Sequence, residues 1–476
     1  MTAMLERIER EDLVMFINAC FACTGQREFY GDAAGQMVSI GFLHEYILGN
    51  YRRLYARTLA AGINHFNQAQ IITNLLAAGA PRSAPQREEE GQLIRAALRQ
   101  LPPQRAMRAL MSLRQRRVNN RRARAVVRDY LASRPDTEFD AVKYRSKIRS
   151  LAVHNHLRFN DERRIFLFRG WHEHKYTTAL FERFRQAHYA KEAIYDLPFT
   201  VAEGFAKKHR VPRDEFLARI QGQMTQAEQL RIEASAKRSG LKRYTADLSK
   251  TSLTKLALYI LGLSLEQRAA QRERLETGIS GAVTRALRRS PRRLGRVAAV
   301  LDRSYSASGS SEKHRRPLAV AFAANRLLRA CTKQYRAFWT SDLEEDLAVT
   351  EFGQTDLAGP LLAALKWRPE LIVIISDGFE NAPPFGAAEI ARVFRQKLDP
   401  QHATSIIHAN PVFESENYAP RSICPEIPTV GLRDAEDLLT MLGFARFAEG
   451  SEPLEALEKH LEEKAAALLQ GLRASP

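Results

Sequence analysis

Two apolar runs, Val297–Leu301 and Leu371–Ile375, are each followed within two residues by an aspartate, Asp302 and Asp377. An unbroken run of aliphatic residues, without the alternation of a half-exposed strand, suits a strand buried on both faces. Such strands belong to parallel sheets covered by helices. The surrounding pattern agrees: it predicts helices over Leu318–Ala330, Thr355–Leu365 and Ala387–Arg395, and strands over Tyr335–Trp339 and Ser405–His408. Strands alternating with helices of this length imply a doubly wound α/β domain over residues 291–476. Ligands of such sheets bind beyond the carboxyl ends of the strands, where both aspartates fall.

The residues around those two acids are oxygen donors. Asp302-Arg303-Ser304-Tyr305-Ser306 sets one carboxylate and two hydroxyls at alternate positions, so an irregular loop can aim three oxygens at one point. Thr355, in Gly353-Gln354-Thr355-Asp356, adds a hydroxyl at the predicted start of a helix, and Asp377 adds the second carboxylate. Hard oxygen ligands with two formal charges suit Mg²⁺ or Mn²⁺, which retain waters in octahedral geometry. Zinc is not expected, because the set contains neither Cys nor His. Asp-x-Ser-x-Ser alone is common in loops that bind nothing. The ordered combination with Thr355 and Ile375-Ser376-Asp377-Gly378 resembles the metal-ion-dependent adhesion site of von Willebrand A-type domains. That resemblance implies a binding role, in which an acidic residue of a protein partner fills the open position on the metal. The expectation is of a protein that is not an enzyme, since no nucleophile–base pair accompanies the site. Tyr305 and the polar run Ala307–Ser311 depart from the Ser-Met that usually follows in that family.

The rest of the chain has a different grammar. Leu43–Ala60, Asn64–Ala78, Arg121–Leu131, Phe216–Met224 and Leu253–Gly262 repeat apolar residues every three or four positions, with breaks at Gly62–Asn64, Gly79–Pro81, Pro102-Pro103 and Ser133–Pro135. Short helices between regular breaks predict stacked pairs, a HEAT-like helical-repeat array over residues 1–290 that could close into a ring. Arg285–Arg296 reads as a basic linker to the α/β domain. The chain as a whole is therefore multidomain, α and then α/β.

Charge divides the same way. Of the net +18, residues 1–300 carry 53 Lys and Arg against 29 Asp and Glu, and residues 301–476 carry 19 against 25. Residues 101–150 are the most basic segment, 14 against 4, and hold Arg116, Arg117, Arg121, Arg122 and Arg124 in one run. With too few acids to pair them, these arginines suit the bidentate capture of phosphate. An acidic protein surface is the other partner such a face could take.

Arg121–Leu157, containing Ala-Arg-Ala-Val-Val-Arg-Asp-Tyr-Leu and then Phe-Asp-Ala-Val-Lys-Tyr-Arg-Ser-Lys-Ile-Arg-Ser-Leu-Ala-Val-His-Asn-His-Leu, resembles the TROVE domain of Ro ribonucleoproteins. Phe29-Tyr30 with Gln36, Gly353–Asp356 and Ile374–Glu380 are also similar to that family, and the order of helical array then metal domain agrees over most of the chain. The resemblance implies binding of small structured non-coding RNA and of misfolded RNA ends, with Lys143, Arg145 and His156 facing the RNA. Lys147 and Arg149 join them on charge alone. Between Lys147 and Leu151 the family has a longer connection, and the first hundred residues align poorly.

Other signals are weaker. Cys20 and Cys23 have CxxC spacing without a second pair, so buried helical side chains are expected. His154-Asn155-His156 lacks paired acids, Trp171–His174 does not place its histidines on one helical face, and Phe181, Phe184 and Tyr189 have core spacing. No signal peptide and no run long enough to cross a bilayer is evident, and four cysteines make no disulfide framework, so a cytoplasmic protein, simplest as a monomer, is expected. A rival class remains open: a von Willebrand A-type co-chaperone of a MoxR-like AAA+ ATPase, its basic helices docking on an acidic protein. A plain scaffold using both halves for protein contacts is a third.

Overall fold

The computed structural model describes residues 2–170, 172, 174–225, 228–233, 247–289, 293–450 and 452–474. Five parallel strands, β1 (Leu294–Leu301), β2 (Thr332–Trp339), β3 (Leu371–Ile375), β4 (Ser405–Asn410) and β5 (Thr429–Gly431), form one sheet in the order β2-β1-β3-β4-β5. Chain order reverses at β1 and β3, the switch point where a crevice opens at the carboxyl ends. Alternate residues point to opposite faces, and both faces are covered. Ala298, Val300, Ile372 and Ile374 pack against Leu361, Ala387 and Ala391 of the helices Ala358–Lys366 and Gly386–Val393. The helix Arg316–Cys331 joins β1 to β2 and buries Leu318, Phe322 and Leu328. Double-sided cover is why β1 and β3 read as apolar runs.

The helical half divides differently from the sequence-based boundary at 290/291. Met1–Gln68 and Ser249–Pro476 form one compact unit, and Ala69–Leu248 another. The physical reason is at the sheet edge. The helix Thr2–Ala22 closes β5, with Asn18 Nδ2 donating to the Thr429 carbonyl at 3.3 Å and Asn18 Oδ1 accepting from Gly431 N at 3.2 Å. A Cβ at Gly431 would stand 2.3 Å from the Asn18 carbonyl oxygen, so glycine allows this close approach. Thr254 Oγ1 likewise donates to Glu436 at 2.5 Å, and buried Arg268 donates to the carbonyls of Leu347 and Val349. These helices protect an edge and loops that would otherwise carry unpaired backbone groups. The predicted linker is not one element: Arg285–Arg289 end the helix Arg272–Arg289, residues 290–292 lie outside the described ones, and β1 already begins at Leu294.

The unit Ala69–Leu248 is an array of short helices. Asn120, Asp136 and Asp161 each start one by accepting a backbone N–H from Ala123, Phe139 and Arg163. Three helices end alike: Arg117, His156 and Arg210 adopt φ near +54°, and the next residue's N–H reaches back five positions, Val118 to Leu113, Leu157 to Ala152 and Val211 to Ala206. This is the Schellman closure, which usually uses glycine at the left-handed position. Here Arg117, His156 and Arg210 sit there instead, and the charge of the two arginines is favourable against the negative end of the helix dipole.

The strain of a left-handed non-glycine residue gives a test. Arg117→Gly should raise the stability of this unit by roughly 1 kcal/mol, read by urea denaturation; a decrease would mean that the arginine side chain itself holds the helix end.

Candidate metal centre and nucleic-acid interface

β1 and β3 are neighbours with Leu301 opposite Ile375, so their carboxyl ends coincide. Asp302 N donates to the Ile375 carbonyl at 3.0 Å, extending the ladder one step. Asp302 is then fixed by Ser304 N on Oδ1 at 2.8 Å and Ser376 Oγ on Oδ2 at 2.9 Å. Ser304 Oγ and Ser306 Oγ lie 3.1 Å apart, and the Ser306 hydroxyl favours the charged form of Asp377. Arg303 points the other way, its Nε and Nη1 donating to the carbonyls of Thr350 and Asp342 at 3.0 Å, which produces the alternation read in the sequence.

Thr355 lies in the loop before the helix, not at its start. The helix begins at Ala358, and Asp356 Oδ1 accepts from Gly359 N at 2.9 Å, leaving Thr355 outside the first turn. Thr355 N donates to Asn381 Oδ1 at 2.9 Å, and its carbonyl accepts from Asn381 N and Ala382 N, tying this loop to the exit of β3. Gly378, at φ +81°, makes the turn after Asp377; a Cβ there would meet the Arg421 carbonyl at 2.9 Å. All five expected ligands, Asp302, Ser304, Ser306, Thr355 and Asp377, are buried; hydrogen bonds join Asp302, Ser304 and Ser306, and Asp377 is near enough to feel the Asp302 charge. Ser376 and Asn381 join the site without having been singled out as ligands, because their roles come from contacts between loops.

Burial raises the Asp302 carboxyl above its ordinary range. Burial and then the neighbouring Asp302 charge push Asp377 to about 7. Among the described residues neither carboxylate has an ion-pair partner, and Arg421 acts on Asp377 only at longer range. Two buried carboxylates without a counter-ion are costly when both are charged. A small hard divalent cation removes that cost, and the donor set fits one: two carboxylate groups and the hydroxyls of Ser304, Ser306 and Thr355. Among the described residues no group of three His, Cys, Asp or Glu side chains assembles, so the further protein donors here would be hydroxyls.

The basic segment folds into two surfaces. One is a cavity of about 650 Å³ within the helical unit, lined by Arg114, Lys143, Arg145, Arg149 and His154 with Ser146 and Ser150. Phe184, Val201, Val142 and Val153 supply its apolar wall, and no acidic residue lines it. Arg145 is half-buried, over the rings of Phe166 and Phe184 at 5.1 and 5.7 Å, and donates to the Phe166 carbonyl. Lys143 pairs with Glu228 at 3.4 Å. Lys147 packs over Tyr144 outside the cavity lining, and burial lowers its pKa, helped by Arg108. Arg114 and His154 enter the cavity because the helices Pro103–Gln115 and Arg145–His154 pack together, a pairing no local pattern announces. The other surface holds Arg116, Arg117, Arg121 and Arg124, all exposed, and Arg116 donates to Asn74 at 2.7 Å. Arg122 differs from this run: it turns inward to Glu90, at 2.5 Å, and Glu90 is 1% exposed. His156 is exposed at its helix end and does not line the cavity.

The lesser motifs resolve as packing or lie outside. Cys20 and Cys23 are buried, as are Phe181 and Phe184, whereas Tyr189 is exposed because its helix ends at Ala187. Trp171 and Glu173 lie outside the described residues, and His154 Nε2 rests on the Val118 carbonyl. No described helix is long and apolar enough to cross a membrane.

No protein-family model matches the chain, and no curated protein matches it. Among solved structures, the Ro (RSR) protein of Deinococcus radiodurans is similar at 14% identity, with a TM-score of 0.49, over 86% of this chain and 93% of that one.

Two expectations follow from the geometry. Arg122→Ala removes the 2.5 Å ion-pair partner of the buried Glu90 carboxylate and should cost roughly 1–3 kcal/mol in chemical denaturation. Arg121→Ala, on the exposed face, should stay within about 0.5 kcal/mol; equal effects would remove the distinction. At the acid pair, the folded state keeps the Asp377 proton to about pH 7, while the unfolded chain releases it near the ordinary value of 3.8. Without divalent cations, stability contributed by this group is therefore present at low pH and disappears as pH rises through that window. Added Mg²⁺ should raise the melting temperature at about pH 8 and far less at about pH 5. A pH-independent Mg²⁺ effect, or one retained in Asp302→Asn, would sink the assignment.

Proposed function

We propose that this chain is a non-enzymatic, Ro-like RNA-binding protein. Its helical unit takes small structured non-coding RNA or the unpaired end of misfolded RNA, and its metal site holds a protein partner. The observation that carries the reading is the cavity whose lining contains five basic side chains and no acid. Arginines there can fork onto phosphates while an unpaired base packs against Phe184 and Val201. A cavity of this size accepts a single strand, and a duplex would lie instead on the exposed Arg117, Arg121 and Arg124, where phosphate contacts suffice. Charge supports the division of labour. Residues 69–248 hold 36 Lys and Arg against 19 Asp and Glu, a net of +17 out of the chain's +18. The Lys143–Leu157 resemblance to the TROVE domain points the same way. His154, held by the Val118 carbonyl, suits positioning a ligand over moving a proton.

On this reading Asp302, Ser304, Ser306, Thr355 and Asp377 hold Mg²⁺ or Mn²⁺. The bound cation would supply a Lewis-acidic position for a partner's carboxylate. The protein's own residues keep the acids dry and aligned until it arrives.

The test is purification from the native cells at moderate salt, with the ultraviolet 260/280 ratio read and any nuclease-sensitive material sequenced. A discrete bound RNA is expected. Gel shifts with a stem-loop RNA carrying a single-stranded tail should then weaken tenfold or so for Arg114→Ala with Arg149→Ala. The salt slope should flatten by about 0.7 for each phosphate that the variant no longer neutralises. Unchanged affinity and slope would take the cavity out of the reading. Protein free of RNA but carrying an ATPase would favour the co-chaperone role instead.

A further inference from the structure

The helix Arg145–His154 lends one face to the basic cavity: Arg145, Arg149 and Val153 at four-residue spacing, with Ser146, Ser150 and His154 beside them at the same spacing. Arg114 comes from the helix Pro103–Gln115 and donates to the Ser150 hydroxyl, a neutral partner. Arg145 is fixed in place, donating to the Phe166 carbonyl at 2.9 Å and lying over the Phe184 ring at 5.7 Å. Of the Lys and Arg side chains in the lining, only Lys143 has an acidic partner among the described residues, Glu228 at 3.4 Å. Arg114, Arg145 and Arg149 therefore face one space with no carboxylate to balance them.

That surplus exceeds what the inside of a nucleic-acid strand brings. An internal nucleotide carries a single negative charge on a phosphodiester with two free oxygens. A phosphomonoester at a strand end carries close to two charges at neutral pH, its second pKa being about 6, and it offers three strong acceptor oxygens. Arginine forks and the hydroxyls of Ser146 and Ser150 match such a group, since guanidinium binds phosphate bidentately and a serine can turn its proton to a remaining oxygen. The apolar wall of Phe184, Val142, Val153 and Val201 lowers the local dielectric and strengthens each of these contacts. At about 650 Å³ the cavity has the dimensions of a small-molecule site, roughly 300–1,000 Å³. It suits the end of a strand, not a length of it.

We propose that this cavity binds the terminal phosphate of an RNA strand, through Arg114, Arg145 and Arg149, and so selects phosphomonoester ends over hydroxyl ends. This rests on the RNA reading given above and names the chemical group at its centre. A 5′-phosphate and a 3′-phosphate present the same chemistry to the arginines. Protonation of the phosphate removes its second charge, so the preference belongs to neutral pH and fades in acid, whereas a hydroxyl-ended strand has no such proton to take up.

The experiment uses the full-length protein and one single-stranded RNA of fixed sequence, prepared with a 5′-phosphate, with a 3′-phosphate, or with hydroxyls at both ends. Each strand competes against a fluorescent tracer RNA, read by anisotropy at about pH 7.5 and about pH 5.5, on either side of the phosphate pKa. At the higher pH one phosphorylated strand, or both, should bind roughly tenfold tighter than the hydroxyl-ended strand, the worth of an added charge-assisted hydrogen bond. Which strand gains identifies the end that enters; an equal gain in both means that the cavity reads the group at either end. The advantage should shrink towards unity at the lower pH and in Arg149→Ala. Equal affinity for all three strands would overturn the terminal-phosphate assignment and leave the RNA reading standing. A preference undiminished at the lower pH, or undiminished in Arg149→Ala, would overturn it too. No binding of any of the three would overturn the RNA reading together with the inference.

Discussion

The candidate metal centre depends on the pairing of β1 with β3. Their register sets Leu301 against Ile375, and one further ladder bond brings Asp302 beside the Ser376–Asp377 turn. Because both strands are buried on both faces, a slip in register would exchange the side chains that meet the two helix layers and break their packing. The same hydrophobic packing that fixes the sheet therefore forces two carboxylates together in a dry place. That is an unfavourable arrangement by itself, and it is tolerated at the switch point of the sheet, where a cation can be held.

Around this point polar side chains tie down loops. Arg303 ties down the 342–350 segment, Asn381 ties down Thr355, and Asn410 Nδ2 donates to the carbonyls of both Asp377 and Arg421. His408, fully buried within β4, has its pKa lowered to about 4 by burial and rests on the Ser376 carbonyl, so it stays neutral beneath the site. The helical unit uses another device. Its helices are short: three are capped by Asn or Asp at their start, and three others are closed at their end by a basic residue in the left-handed conformation. Basic residues there serve helix ends as well as surface charge, which tempers any count of arginines as a measure of ligand binding.

Much of this was legible in local pattern. The aliphatic runs located β1 and β3, and the Asp-x-Ser-x-Ser spacing located a loop whose alternate side chains do face one cluster. The breaks at Gly79–Pro81 and Pro102-Pro103 fell where helices end. Legibility failed wherever two distant segments meet. Arg122 looks like its neighbours in an arginine run, but Glu90, on another helix, draws it inward. Arg114 and His154 line one cavity although they stand on different helices, far apart in the sequence. The strand β5 is only three residues long, too short to register as a period, and is defined by the helix Thr2–Ala22 that covers its edge.

Periodicity, spacing and charge act over a few residues, so the sequence by itself determined the elements, the oxygen-rich loops after two strands and the excess of positive charge before residue 300. Which elements share a unit, which cations are exposed and which are paired, and the packing of Tyr30 on Phe379 were decided only in the tertiary structure. The reason is physical: burial and pairing are properties of what lies across an interface, and a linear chain records one side of each interface at a time.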